Sequence, residues 1–156
     1  MIVKMLATTL ITLFKRDLNR LKTEIESYQE PANLWITEKA IANSAGNLCL
    51  HLIGNLNTYI GANLGQSGYI RNRELEFSLK DVPVKELVKN IVDTISVIES
   101  ALTGMSSAQM EAEYPFLVME EKTTTQFFLI HLSSHLNYHL GQINYHRRLL
   151  DHNDNI

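Results

Sequence analysis

Apolar residues recur at steps of three and four in four stretches of the chain, and no stretch shows the strict alternation of a strand. The first stretch, residues 2–28, places Ile11, Phe14, Leu18, Leu21, Ile25 and Tyr28 along one side of a helix. Pro31 follows it and is expected to end it, because its ring cannot continue the hydrogen-bond ladder. The second stretch, residues 43–64, carries Leu48, Leu52, Leu56, Tyr59 and Ile60 behind two candidate N-caps, Asn43 and Ser44. Gly46, Gly54 and Gly61 interrupt it. Each costs about 1 kcal/mol relative to alanine, so their presence marks close approach of another helix or of a ligand. Residues 65–68, Gly-Gln-Ser-Gly, stop this helix. The third stretch, residues 83–102, carries Val84, Leu87, Ile91, Ile95, Ile98 and Leu102. Pro83 suits its first turn, Asp81 its positive end and Gly104 its C-cap. The fourth stretch, residues 123–150, opens on three consecutive threonines that can each cap it. The connector 105–122 is long for a helical protein, with a break at Tyr114-Pro115, and is expected to hold a short helix or a hairpin.

Four amphipathic stretches of this length predict an all-α protein, a four-helix bundle, in one domain spanning residues 1–156. Composition narrows its company. The net charge of −3 argues against nucleic-acid binding, which favours a basic excess. The single cysteine excludes a disulfide framework and a cysteine-rich zinc site. No uninterrupted apolar run is long enough to span a membrane. Met5 to Phe14 resembles the apolar part of a signal peptide, yet Lys15, Arg16 and Asp17 follow with no small-residue cleavage site. A cytoplasmic location is expected.

Six histidines are unusual for this length, and five of them lie beyond residue 130. Setting His131 at zero on a helical wheel puts His135 near ~40° and His139 near ~80°, with Gln142 near ~20° and His146 near ~60°. The stripe Leu129, Leu132, Leu136, Leu140 and Ile143 occupies about 100° to 180°, so the histidine arc borders the core face. Two histidines four apart stack their imidazoles, about 5–6 Å between Cβ atoms, and can reach one metal ion. His51, inside the apolar run Leu48 to Leu56, is expected to be buried and to need a partner. Taken singly, His51 reads as a hydrogen-bonded core residue and the His135/His139 pair as a helix surface; together they form a candidate metal site on two helices. His131 reads equally as ligand, outer partner or packing. His146, beside Arg147 and Arg148, reads as a cation at the negative end of the last helix. His152 is given no role. Cys49 lies about 200° around the helix from His51 and reads as a small core residue. The chain lacks His-Glu-x-x-His, Glu-x-x-His, a phosphate-binding loop and Gly-x-Ser-x-Gly.

The run His51-Leu-Ile-Gly-Asn55-Leu, paired with His135-x-x-x-His139-Leu-Gly-Gln142, resembles the DinB-like (DinB/YfiT) metal-binding four-helix bundles over nearly the whole chain, closest to an uncharacterised branch. The resemblance implies one divalent metal ion, nickel or zinc, held by His51, His135 and His139. It implies dimers, and thiol-dependent transferases or isomerases among the relatives.

Three readings follow. In the first the protein is a metal-dependent enzyme acting on a small thiol or electrophile, or a related hydrolase, with Asn55 lining the pocket and His131 and Gln142 orienting ligands. In the second it is a non-catalytic metal- or ligand-binding bundle. In the third the histidines only pack.

Overall fold

The structure, a computed structural model, describes residues 2–152, with side chains from residue 6 onward. Helix α1 spans Ile2–Glu26 and buries Phe14, Leu18, Leu21 and Ile25 completely, with Tyr28 just beyond its end. It stops before Pro31 rather than because of it: Pro31 opens a separate tight turn of 3-10 helix, Pro31–Trp35, where a missing N–H costs nothing. Helix α2, Ala45–Leu56, begins at Ser44, whose hydroxyl accepts the Asn47 amide at 3.2 Å. It runs on into a wider π-helical turn, Asn57–Ala62. Helix α3, Arg73–Ser78, is a short element that no apolar period announced. Helix α4 spans Val84–Leu102, and Pro83 stands as its cap rather than in its first turn. Helix α5, Ser107–Glu111, is fixed by a capping box between Ser106 and Gln109. Helix α6, Thr125–Leu150, is capped by Thr124.

The connector holds the short helix expected of it, with a single bridge in place of a hairpin. After α5, an isolated antiparallel bridge pairs Glu113 with Thr124, with Tyr114 N–H donating to the Thr123 carbonyl and Thr125 N–H to the Ala112 carbonyl, both at 2.8 Å. Tyr114 is buried, and its hydroxyl donates to the Tyr59 carbonyl at 2.6 Å and accepts from Asn63. Among the described residues there is no strand, and no helix is long and apolar enough to cross a membrane.

The four long helices form the bundle. Helix α1 packs against α4 and α6, and α2 packs against the same two, so α1 and α2 stand at opposite corners. The stripes predicted for α4 and α6 face inward: Leu87, Ile91, Ile98 and Leu102 belong with Leu129, Leu132, Leu136 and Ile143 to one continuous core. Burying one such side chain contributes about 1.5–3 kcal/mol. Helices α2 and α6 thus run side by side, which carries residue 51 to residues 135 and 139.

Candidate metal centre

His51 sits on α2 within a face that is otherwise Leu48, Leu52 and Leu56, and the apolar stripe that turns those leucines inward turns its ring toward α6. His135 and His139 lie one turn apart on α6, beside its buried leucines. The three rings converge through the same nitrogen. Nε2 of His135 lies 3.3 Å from Nε2 of His51 and 3.1 Å from Nε2 of His139, and the three donor atoms lie within 4.8 Å of one another. A tetrahedral ion with Zn–N bonds of about 2.0–2.1 Å sets its nitrogens roughly 3.3–3.4 Å apart, close to the two spacings at His135.

The backs of two rings assign their protonation. Nδ1 of His51 faces Oε1 of Glu76 at 3.1 Å, and Nδ1 of His139 faces Oε1 of Gln142 at 2.7 Å. Each of these oxygens accepts, so each Nδ1 carries the proton and each Nε2 offers a lone pair to the centre. His135 can donate from Nε2 to only one of two facing lone pairs, and its buried Nδ1 has no partner among the described residues. Moving the His135 proton to Nδ1 aims three lone pairs at one point. A cation there satisfies all three, whereas without one the single His135 proton reaches only one of the two facing lone pairs.

Burial favours the neutral form of His135 and His51. Burial pushes the His135 pKa down to about 4, helped by the nearby His139, His51 and His131 rings and by the Arg71 charge. Burial lowers the His51 pKa as well, against the opposing pull of the hydrogen bond and charge of Glu76. Neutral imidazole is the form that binds metal.

Behind His51 lies an assembly the sequence did not reveal. Glu76, buried on α3, is held by both arms of Arg71: Nε to Oε2 and Nη2 to Oε1, each at 2.8 Å. The fork offsets the buried carboxylate charge, and Oε1, with one lone pair taken by Arg71, uses its second to orient His51. Arg71 Nη2 also lies 3.4 Å from His51 Nδ1, but both are donors, so Glu76 is the acceptor for each. Gly54 makes room for it. A Cβ at position 54 would come within 2.6 Å of Cδ of Glu76, so any larger residue would push the carboxylate away. The glycine was the one visible signal, since it marked close approach without saying of what.

The remaining candidates fall in different places. Gln142 contacts the centre through His139. His131 does not join the cluster: its ring stacks on Phe128 (centroids 5.8 Å apart, 16° between planes) and lies beside His135. Asn55 lines a cleft of about 290 Å³ together with His51, His131, His135, Arg71 and Arg73. Cys49 is fully buried, and burial raises its thiol to about 12, so it is a packing residue.

His146 corrects its sequence reading. It is not a solvated residue at a helix end but a buried ring with both nitrogens hydrogen-bonded, Nδ1 to the Tyr28 hydroxyl at 2.7 Å and Nε2 to the Ile36 carbonyl at 2.8 Å. The partners lie 118 and 110 positions away in sequence, which is why no local pattern showed them. His152 is exposed.

A family model described as "Protein of unknown function (DUF1572)" matches residues 6–156. No curated protein and no solved structure matches the chain.

Proposed function

The chain belongs to the DUF1572 family, whose description carries no activity, and we propose from the site itself that the protein is a divalent-metal-dependent enzyme. The observation that supports this is the convergence of three Nε2 atoms, two of them on rings whose far nitrogens already have acceptors. In this reading His51, His135 and His139 are the ligands, and the ion is nickel or zinc. Among the described residues no fourth His, Cys, Asp or Glu joins the cluster, which leaves a coordination position for something other than protein, as catalytic centres do. An ion so held acts as a Lewis acid and makes a bound thiol or water reactive near neutral pH.

The protein's own groups take defined parts. Glu76 and Gln142 fix the tautomers and ring planes of His51 and His139, and Arg71 holds Glu76 in place. The cleft lined by Asn55, Tyr59, Arg71, Arg73 and His131 opens beside His51 and His135 and admits a small molecule. The DinB/YfiT-like resemblance points to transfer onto a small thiol, with hydrolysis or isomerisation as neighbouring chemistries. A cytoplasmic homodimer belongs to the same reading.

The test uses tag-free recombinant protein loaded with zinc or nickel. It is screened against a panel of low-molecular-weight thiols with a chromogenic electrophile. Metal-dependent turnover that disappears in His135→Ala supports the reading. Stoichiometric metal with no turnover across the panel, and none with activated esters, would instead make the protein a non-catalytic metal-binding bundle.

A further inference from the structure

The outward faces of the long helices differ in character. Those of α1 and α4 carry charge, Lys15, Arg16 and Arg20 on one and Lys85, Glu86 and Asp93 on the other, as solvated helix faces do. Residues 123–146, which include all of α6 but its last turn, contain no Asp, Glu, Lys or Arg. Yet Phe127, Ile130, Tyr138, Tyr145 and Leu149 are each at least half exposed. At about 100° per residue they fall on one side of α6, with Ser134 and Gly141 between them, in a strip about 33 Å long. Exposed aromatic rings without charge are the composition of an interface centre, not of a wet surface.

Gly141 gives a second, independent sign. At Gly46, Gly54, Gly61 and Gly65 an added Cβ would strike a neighbour, and Gly68 and Gly104 have positive φ. Gly141 has neither reason, since a Cβ there would meet nothing within 4 Å and its φ is not positive. A glycine inside a helix costs about 1 kcal/mol relative to alanine. Nothing within the chain requires that cost at position 141, whereas close approach of another helix to this face would.

We infer that a second copy of this chain docks on the outward face of α6, in a two-fold dimer whose α6 helices lie side by side. A copy fits better than a different protein, because an uncharged face meets itself without setting like charges together. Large and small residues alternate along it as self-pairing needs. With an antiparallel copy and an axis near residue 136, Tyr138 meets the partner's Ser134 and Phe127 meets the partner's Tyr145. The exposed side chains and the small residues between them offer on the order of 600 Å² per copy, so a pair buries about 1,200 Å², at the threshold of a stable interface. The strip is not remote from the metal centre, since Tyr138, Tyr145 and Leu149 share a cleft of about 540 Å³ with His139. The inference deepens the proposed function, on whose homodimer it rests, by giving that dimer its face.

The test is sedimentation equilibrium at micromolar concentration on tag-free protein, zinc-loaded and metal-free. Ile130→Glu and Gly141→Glu each place a charge near the middle of the strip without disturbing the chain's own packing, since Ile130 is half exposed and position 141 is open. Twice the chain mass is expected for the unmodified protein, and either variant should raise the dissociation constant about a hundredfold or more. Ile70→Glu alters the most exposed large apolar residue outside α6, on the loop before α3, and should leave the dimer intact. A monomeric unmodified protein would overturn the inference and leave the face to a different partner. So would a dimer that either α6 variant leaves intact, or one that Ile70→Glu dissociates. Zinc analysis of the same samples keeps the two proposals apart. A dimer that takes up no zinc and is dissociated by the α6 variants would retain the face and sink the metal reading, and zinc uptake by a monomer would do the reverse.

Discussion

Two histidines on the same helix, His146 buried and His135 half-buried, meet opposite fates. At His146 the protein completes everything: one ring nitrogen bonds to the Tyr28 hydroxyl, the other to the Ile36 carbonyl, and the ring becomes a tie between α1, α6 and the turn after Trp35. At His135, about three turns toward the N-terminus, the fold leaves the ring unfinished: Nδ1 has no partner among the described residues, and Nε2 can donate to only one of the two Nε2 atoms it faces. The contrast separates a histidine whose bonds the fold completes from one whose bonds it leaves open. Burial does not do it, since the more deeply buried ring, His146, is the one with every bond made. The bookkeeping of ring nitrogens does, because a ring whose bonds the fold leaves open is one whose bonds are made by something else.

The sharpest break of this comparison is a pair of alanine substitutions. His135→Ala should lower zinc affinity beyond the roughly 10–100-fold that loss of an outer partner costs, because a ligand itself is gone. It should cost the metal-free protein little, which calorimetric zinc titration and chemical unfolding together will show. His146→Ala should do the opposite. It strands the Tyr28 hydroxyl and the Ile36 carbonyl and should destabilise the fold by about 2–3 kcal/mol in urea unfolding, with zinc affinity unchanged. Should both variants lose zinc alike, the distinction between the two sites fails.

How far the sequence showed this difference depends on the range of the contacts involved. The inward stripes of α4 and α6 follow from local periodicity, and so does the shared arc of His135 and His139. Burial of His51 follows from its leucine neighbours. Tyr28 and Ile36, by contrast, reach His146 only through packing of distant elements, while the adjacent Arg147 and Arg148 suggested a solvated helix end. Glu76 and Arg71 stayed hidden for another reason. They lie around a six-residue helix in a stretch with no apolar period, and a lone Arg and Glu five apart resemble any surface pair.

The next test addresses that hidden assembly. Glu76→Gln keeps an oxygen that can accept but weakens the hold on the His51 proton, so zinc affinity should fall about tenfold, at the low end of outer-partner losses. Gly54→Ala should reproduce most of that fall with no polar group changed, since the added methyl displaces the carboxylate. Unchanged zinc affinity in both would mean that Glu76 does not position His51.

The smallest effect is in the pH dependence of the metal-free protein. His135, and His51 with it, titrate lower when folded than when unfolded. The unfolded chain therefore takes up protons first as pH falls below about 6.5, and stability should decline from there toward pH 4. His135→Gln should flatten that decline in thermal melts across the range. An equally steep slope in this variant would place its source elsewhere, and Asp17, whose pKa is also displaced, would be the next group to examine.

The most direct measurement is a zinc titration of tag-free, metal-free protein at pH 7.5, run in parallel with His135→Ala. One equivalent bound by the unmodified chain, with an affinity that collapses in the variant, is the expected result. Failure of the unmodified protein to bind zinc or nickel, or undiminished binding after His135 is removed, would contradict the account.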